Sequence, residues 1–154
     1  MQCADKSKFG VLGMNIFLGW TIASLFIPRI ADLFGRKPTF VTCMIFHLAS
    51  LLLLIFSRSY EVTATSLFFI GMCSVGRWTV GYIYLLEFWT EMNIKRYGPF
   101  VAASSALALV FGAFTLQVIT SHTIVLEYTA ATMTFISIIL AFSLMPESPK
   151  WLIS

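Results

Sequence analysis

Side chains that could take part in catalysis or in binding an ion are few in this sequence, since only 11% of its 154 residues are charged. The sequence has no glycine-rich phosphate loop, no histidine, cysteine and aspartate set with metal-ligand spacing, and no serine beside a plausible base. These observations argue against an enzyme, a metal or other cofactor, and ATP-driven pumping. The remaining chemistry is that of isolated charges, which fall at the ends of apolar stretches or, for Arg77, inside one.

The elements that hold these charges are those of a membrane protein. Hydrophobic residues make up 58% of the chain and its mean hydropathy is +0.88, too apolar for a soluble domain of this length. Backbone amides in hydrocarbon must be satisfied internally, and the long unbroken apolar runs favour helices over barrel strands. The net charge of +3 is not arranged as a nucleic-acid patch. We therefore expect an all-α membrane protein that contacts the lipid bilayer and no nucleic acid.

Five apolar stretches are long enough to cross the bilayer as helices of about 20 residues. Their approximate bounds are residues 10–30, 39–57, 62–88, 99–120 and 124–145. The first is expected to end at Pro28-Arg29 and the last at Pro146, because proline does not continue a helix. A loop is predicted over residues 31–38, with Pro38 in the first turn of the second helix. One compact bundle over residues 1–154, with no separate soluble domain, is therefore predicted.

Lysine and arginine residues beside the spans predict the orientation, because cytoplasmic loops carry an excess of both. Six of them follow the first, third or fifth span: Arg29, Arg36, Lys37, Lys95, Arg96 and Lys150. Three lie on the opposite side: Lys6, Lys8 and Arg58. We therefore expect a multi-pass protein of the plasma or an organellar membrane, with its C-terminus on the cytoplasmic side.

The stretch PRIADLFGRK, residues 28–37, carries the most informative motif. Gly35 permits a tight turn, and Asp32 stands where a carboxylate can face the positive end of a helix or an arginine. Arg36 and Lys37 suit the cytoplasmic interface. The stretch resembles the loop signature G-x-x-x-D-[RK]-x-G-[RK]-[RK] of the major facilitator superfamily, except at Pro28 and Leu33. In that family the loop latches two helix bundles in the outward-facing state. The alternative is an ordinary positively charged turn.

Two further motifs carry the same resemblance. Residues 146–152, PESPKWL, resemble the PESPRWL sequence that follows the sixth helix in sugar porters and organic ion transporters. Residues 76–88 resemble the G-x-W-x-x-G-Y-x-x-x-x-E-F pattern in the fourth helix of organic cation and anion transporters. The resemblances map the five predicted helices onto the second to sixth of a twelve-helix family. They imply an incomplete N-terminal bundle of the major facilitator fold.

The resemblance also implies a cytoplasmic gating cluster of charged residues around a glycine: Asp32, Gly35, Arg36, Lys37, Glu87, Arg96 and Glu147. Glu87 is expected to pair with Arg36 and Arg96, since carboxylates and guanidinium groups at one membrane depth are costly unless paired. The alternative is a solvated helix end with i,i+4 pairs among Glu87, Glu91, Lys95 and Arg96.

Arg77 lies near the middle of the third predicted span, where a charge costs at least about 2.5 kcal/mol on insertion scales. It must therefore face the bundle interior or water. Because this helix lines the central cavity in the family, an anionic group of the substrate is one partner for Arg77. A structural ion pair with a residue on another helix is the alternative, and both interpretations stay open.

The other residues of the candidate substrate cavity are Trp78, Tyr82 and Gln117. Trp78 and Tyr82 lie one turn apart and offer an aromatic wall for an organic cation, although packing between helices is the more common role. Gln117 is placed to hydrogen-bond across the bundle or to reach the cavity. His47 lies mid-span in the second stretch. A pH-sensitive group is one interpretation, but for a lone histidine we expect a packing residue whose hydrogen bonds are satisfied.

These resemblances imply transport of a small organic solute, most of all an organic ion, by alternating access. Alternating access needs two bundles, so the chain is expected to act as a fragment of a larger transporter, with the missing half as its partner. The alternative is a truncated transporter-like protein that serves as a structural subunit beside other membrane subunits.

Overall fold

A computed structural model of the chain describes residues 6–87, 91–115 and 123–144, and the regular structure in these ranges is helical. α1 spans Lys6–Phe34, α2 spans Arg36–Phe56 and α3 spans Tyr60–Val75. A π-helical turn, Gly76–Val80, joins α3 to α4 at Gly81–Glu87, and the three together form the α3–α4 rod. α5 covers Glu91–Phe114 and α6 covers Thr123–Leu144.

α1 is longer than the sequence predicts, because it continues through Pro28 to Phe34. The expected end at Pro28-Arg29 is therefore wrong, and so is the loop over residues 31–38. Proline removes one backbone hydrogen bond from a helix, but in an apolar bundle neighbouring groups satisfy the freed carbonyl and the helix continues. The 29 residues of α1 span about 43 Å, more than the hydrocarbon core of about 30 Å.

α1 packs most extensively on α3, and glycines make the close approach possible. A Cβ on Gly19 would meet the carbonyl oxygen of Phe68, and a Cβ on Gly71 would meet the backbone of Ile16. Small residues at a crossing let two backbones come together, which is how helices associate in lipid. The buried core that α1 shares with the α3–α4 rod consists of Ala23, Ile27, Ala31, Val75 and Val80.

α2 lies between the α3–α4 rod and α6 and contacts both. A Cβ on Gly76 would meet the Sγ of Cys43, and a Cβ on Gly81 would lie 3.0 Å from Cε2 of Phe40. Phe40, the earlier residue of α2, thus contacts Gly81, the later residue of the rod, whereas Cys43 contacts Gly76. The two helices are therefore antiparallel, as expected from the short connection between them.

Polar side chains inside these apolar helices bond to their own backbone. Ser50 donates to the carbonyl of Phe46 at 2.8 Å, and Ser66 donates to that of Val62 at 2.7 Å. Such bonds satisfy a hydroxyl without a partner on another helix. These residues therefore do not interrupt a helix in lipid.

Three helices of the described ranges are long and apolar enough to cross a membrane: Gly10–Phe34, Arg36–Phe56 and Ile124–Ser143. They correspond to the first, second and fifth predicted spans. The all-α fold of a protein with several candidate spans is therefore confirmed. The spans over 62–88 and 99–120 stay predictions, and the first of them contains the π turn.

Candidate functional site

The junction between α1 and α2 is a single residue, Gly35. Its φ of 99° and ψ of 151° lie where glycine alone is comfortable, and no side chain would be free of strain there. Gly35 is buried, and its carbonyl accepts a hydrogen bond of 2.8 Å from the buried Thr39 hydroxyl. The predicted tight turn is thus present, reduced to its minimum length.

Asp32 and Arg36 face each other across this junction. The Nη2 of Arg36 donates to Oδ1 of Asp32 at 3.3 Å. The Asp32 side chain is 66% exposed and that of Arg36 only 13%. An exposed pair at this distance contributes little to stability, so the contact orients Arg36 more than it holds the fold.

Lys37 connects the junction to α6. Its Nζ lies 6.0 Å from the centroid of the Phe142 ring, at the outer limit of a cation–π contact. α6 is thereby held near the start of α2. We call Asp32, Gly35, Arg36 and Lys37 the junction cluster.

The structure describes only part of the rest of the predicted gating cluster. The backbone of Glu87 closes α4 and that of Arg96 lies in α5. The side chains of these two residues, and the whole of Glu147, lie outside the described residues. The pairing of Glu87 with Arg36 and Arg96 therefore stays a prediction.

Arg77 lies in the π turn of the α3–α4 rod. Its side chain is partly buried, and its Nε is fully buried with no hydrogen-bond partner in the described chain. No acidic side chain among the described residues pairs with it. A π turn inside an α-helix is often found at a functional site, because it changes the direction in which side chains project.

His47 is buried in α2, with 4% of its surface exposed. Its Nδ1 has no hydrogen-bond partner in the part of the chain that the structure describes. The expectation of a packing residue is confirmed by this burial, but the Nδ1 is not satisfied by any described residue. Cys43, one turn before His47 on α2, lies against Gly76, the residue before Arg77, so Arg77 and His47 lie on facing helices. Sequence spacing does not reveal this proximity, because it depends on the register between α2 and the rod.

Trp78 and Tyr82 project from the same rod and are 47% and 42% exposed. They are therefore not buried by packing among the described residues. Gln117 lies outside the described residues. Whether these residues share a cavity with Arg77 stays a prediction.

A cleft of about 600 Å³ opens between α1, α2 and α3. Its lining is almost wholly apolar and includes Ile27, Phe34, Cys43, Phe69 and Cys73. Arg77, Trp78 and Tyr82 do not line it. Among the described residues no three His, Cys, Asp or Glu side chains are grouped so that they could hold a metal ion.

The helical bundle agrees with a comparison to known families. A model of the Major Facilitator Superfamily matches residues 3–152. The chain belongs to the major facilitator superfamily. The predicted resemblance is confirmed, and it places the chain among membrane transporters and not among enzymes.

Relatives within the superfamily match the chain over nearly all of its length. Solute carrier family 22 member 2 of Homo sapiens is 30% identical over 157 residues, which cover 100% of this chain and 27% of the relative. Solute carrier family 22 member 1 of Bos taurus is 31% identical over 163 residues, with the same coverage of 100% and 27%. Solute carrier family 22 member 15-like of Xenopus laevis is 27% identical over 150 residues, covering 97% and 30%. The chain thus spans less than a third of the length of these relatives.

Proposed function

We propose that the protein takes part in the transmembrane transport of small organic solutes, organic ions foremost, by the alternating access of a secondary transporter. The observation that carries this proposal is the superfamily match over residues 3–152. The choice of organic ions rests on the resemblance of residues 76–88 to the fourth-helix pattern of organic cation and anion transporters.

The chain alone corresponds to 27% of the first relatives, and alternating access needs two bundles that move about a central site. We therefore propose that it contributes the second to sixth helices of an N-terminal bundle, as part of a larger transporter. In this arrangement the N-terminus lies outside and the C-terminus on the cytoplasmic side, which follows from the excess of Lys and Arg on that side.

The junction cluster is our candidate for the gate of this transporter. Gly35 fixes the angle between α1 and α2, and Asp32 holds the partly buried Arg36 at their meeting point. Glu87, Arg96 and Glu147 are proposed as the further charges of this gate. Pairing and release of these charges would latch the bundle against a second one.

Arg77, Trp78, Tyr82 and Gln117 are our candidates for the solute cavity. The burial of the Arg77 Nε without a partner and the exposure of both aromatic rings support this choice. A charge and aromatic faces on one helix suit an organic ion, which combines a charged group with an apolar body.

A second candidate is a structural subunit of a membrane complex, built on a transporter-like bundle. Large apolar side chains such as Leu25, Phe56 and Phe142 are exposed, and a bundle of this kind can contact other membrane proteins as well as lipid. A native mass that matches 154 residues, purified with stable partners, would favour this candidate.

The proposal is tested by uptake of labelled solutes into cells that express the complete protein encoded by the gene. A panel of organic cations and a panel of carboxylates are compared with untransfected cells. We expect saturable uptake of at least one organic ion. Failure to move either class in cells with the protein at the surface would contradict the proposal.

A further inference from the structure

Arg77 and His47 lie on facing sides of two antiparallel helices. The contacts of Gly81 with Phe40 and of Gly76 with Cys43 fix the register between the rod and α2. His47 follows Cys43 by one turn on the same side of α2, so it lies opposite the part of the rod that precedes Gly76.

The Arg77 side chain extends toward the same level. Side chains on a helix lean toward its N-terminus, so a long side chain at position 77 reaches back along α3 toward Cys73. The guanidinium and imidazole groups therefore lie at the same level of the interface between α2 and the rod.

Both groups carry buried polar atoms without a partner. The Nε of Arg77 and the Nδ1 of His47 are fully buried and make no hydrogen bond in the described ranges. His47 is more than nine-tenths buried. Buried polar atoms in folded proteins are nearly always satisfied, so two neighbouring unsatisfied nitrogens indicate that a ligand completes the site.

The chemistry of the two groups selects the ligand. Arg77 is a permanent cation whose planar fork matches the two oxygens of a carboxylate. His47 can donate from Nδ1 to the same acceptor in the tautomer that carries a hydrogen there. No described acidic residue fills this role. Asp32 pairs with Arg36 at the junction, Glu61 is exposed in the first turn of α3, and the partly buried Glu127 of α6 makes no ion pair with a described residue.

We propose that Arg77 and His47 together form a carboxylate-binding site in the interior of the bundle. The carboxylate comes either from a solute or from an acidic side chain elsewhere in the complete protein. The first source rests on the proposed transport function, whereas the second does not.

The test uses the complete protein encoded by the gene, purified in lipid nanodiscs. Its thermal unfolding is followed by tryptophan fluorescence with benzoate, with neutral benzamide and with tetraethylammonium. The variants are Arg77→Gln, Arg77→Lys and His47→Phe. Arg58→Gln, at an exposed arginine between α2 and α3, is the matched control.

If the solute supplies the carboxylate, benzoate raises the Tm of the wild type and benzamide does not. Arg77→Gln then weakens the apparent Kd for benzoate about 10- to 100-fold, because it removes a charged hydrogen bond. Arg77→Lys weakens benzoate binding less, since lysine keeps a point charge. His47→Phe weakens the apparent Kd for benzoate about 2- to 10-fold, because it removes one hydrogen bond. Arg58→Gln behaves as the wild type.

If a side chain supplies the carboxylate, benzoate has no effect on the wild type. Arg77→Gln then lowers the Tm by several degrees, and Arg77→Lys restores part of it. The inference is overturned if benzoate stabilises Arg77→Gln as much as the wild type. It is also overturned if benzoate has no effect and Arg77→Gln leaves the Tm unchanged or raises it. Solute uptake that persists in Arg77→Gln cells under either of these outcomes leaves the proposed transport function intact.

Discussion

Gly35 shows how one residue decides the geometry of the junction. Its φ of 99° and ψ of 151° belong to a region that other residues occupy only with strain. The motif that predicted a turn here was informative because the turn depends on a local backbone conformation. No distant contact had to be known.

Gly35→Ala should destabilise the protein by about 1–3 kcal/mol, because a Cβ is strained at this φ and ψ. Thermal unfolding in nanodiscs measures the effect. Gly10→Ala is the control, since Gly10 is helical and no atom lies within 4 Å of its added Cβ. Equal stability of the two variants would show that the junction backbone relaxes without cost.

Asp32→Asn should separate a gating role from a structural one. The Asp32 side chain is 66% exposed and its contact with Arg36 is 3.3 Å, so the change in stability should stay below about 0.5 kcal/mol. If the pair belongs to the gate, the initial rate of solute uptake falls severalfold at unchanged surface expression. Glu61→Gln, at another exposed carboxylate, should leave the rate unchanged. Equal rates for both variants would remove Asp32 from the gate.

The helices themselves depend on close crossings that apolar periodicity does not reveal. The α1–α3 crossing requires Gly19 and Gly71, yet glycines in an apolar run look alike in the sequence whether or not a backbone packs on them. Gly112, for example, has no neighbour within 4 Å of its added Cβ.

Gly71→Ala should therefore cost about 1–3 kcal/mol, because its Cβ would meet the backbone of Ile16 and the helices must separate. Gly112→Ala should be neutral or slightly stabilising, since alanine favours a helix. The Tm values of the two variants are measured in the same nanodiscs and compared with that of the wild type. A Gly71→Ala protein as stable as Gly112→Ala would mean that the crossing is looser than described.

The elements also show which features of the fold were predictable. Length and hydropathy predicted the helices, since satisfying the backbone in lipid leaves few choices. The predicted end of α1 at Pro28 was wrong, because a helix in an apolar bundle tolerates the loss of the one backbone hydrogen bond that a proline removes. The π turn at Gly76–Val80 was not predicted, although Arg77 interrupts the apolar run there.

The candidate site was predictable only where it is local. Asp32 and Arg36 are four residues apart, so their pairing follows from chain proximity. Arg77 stood out because a charge inside an apolar stretch is costly. The placement of His47 opposite this part of the rod was not predictable, because it depends on the register between α2 and the rod.

At the scale of the whole molecule, the distribution of charge predicts an orientation. Leu33, at the end of α1, and Ser59, between α2 and α3, are both exposed and lie at opposite ends of α2. In a Cys3→Ser background, Ser59→Cys should react with a membrane-impermeant maleimide on intact cells. Leu33→Cys should react only after the cells are permeabilised. The Cys3→Ser protein without either introduced cysteine measures the background labelling. The reverse labelling pattern would contradict the predicted orientation.

The central claim is that this superfamily member moves organic solutes by alternating access. Trans-stimulation tests it most directly: vesicles that hold the complete protein are preloaded with an unlabelled organic ion, and uptake of the same labelled ion is followed. A carrier returns faster when loaded, so preloading should accelerate labelled uptake at least severalfold over empty vesicles. Uptake that does not saturate and is unaffected by preloading, or no uptake above protein-free vesicles, would contradict the claim.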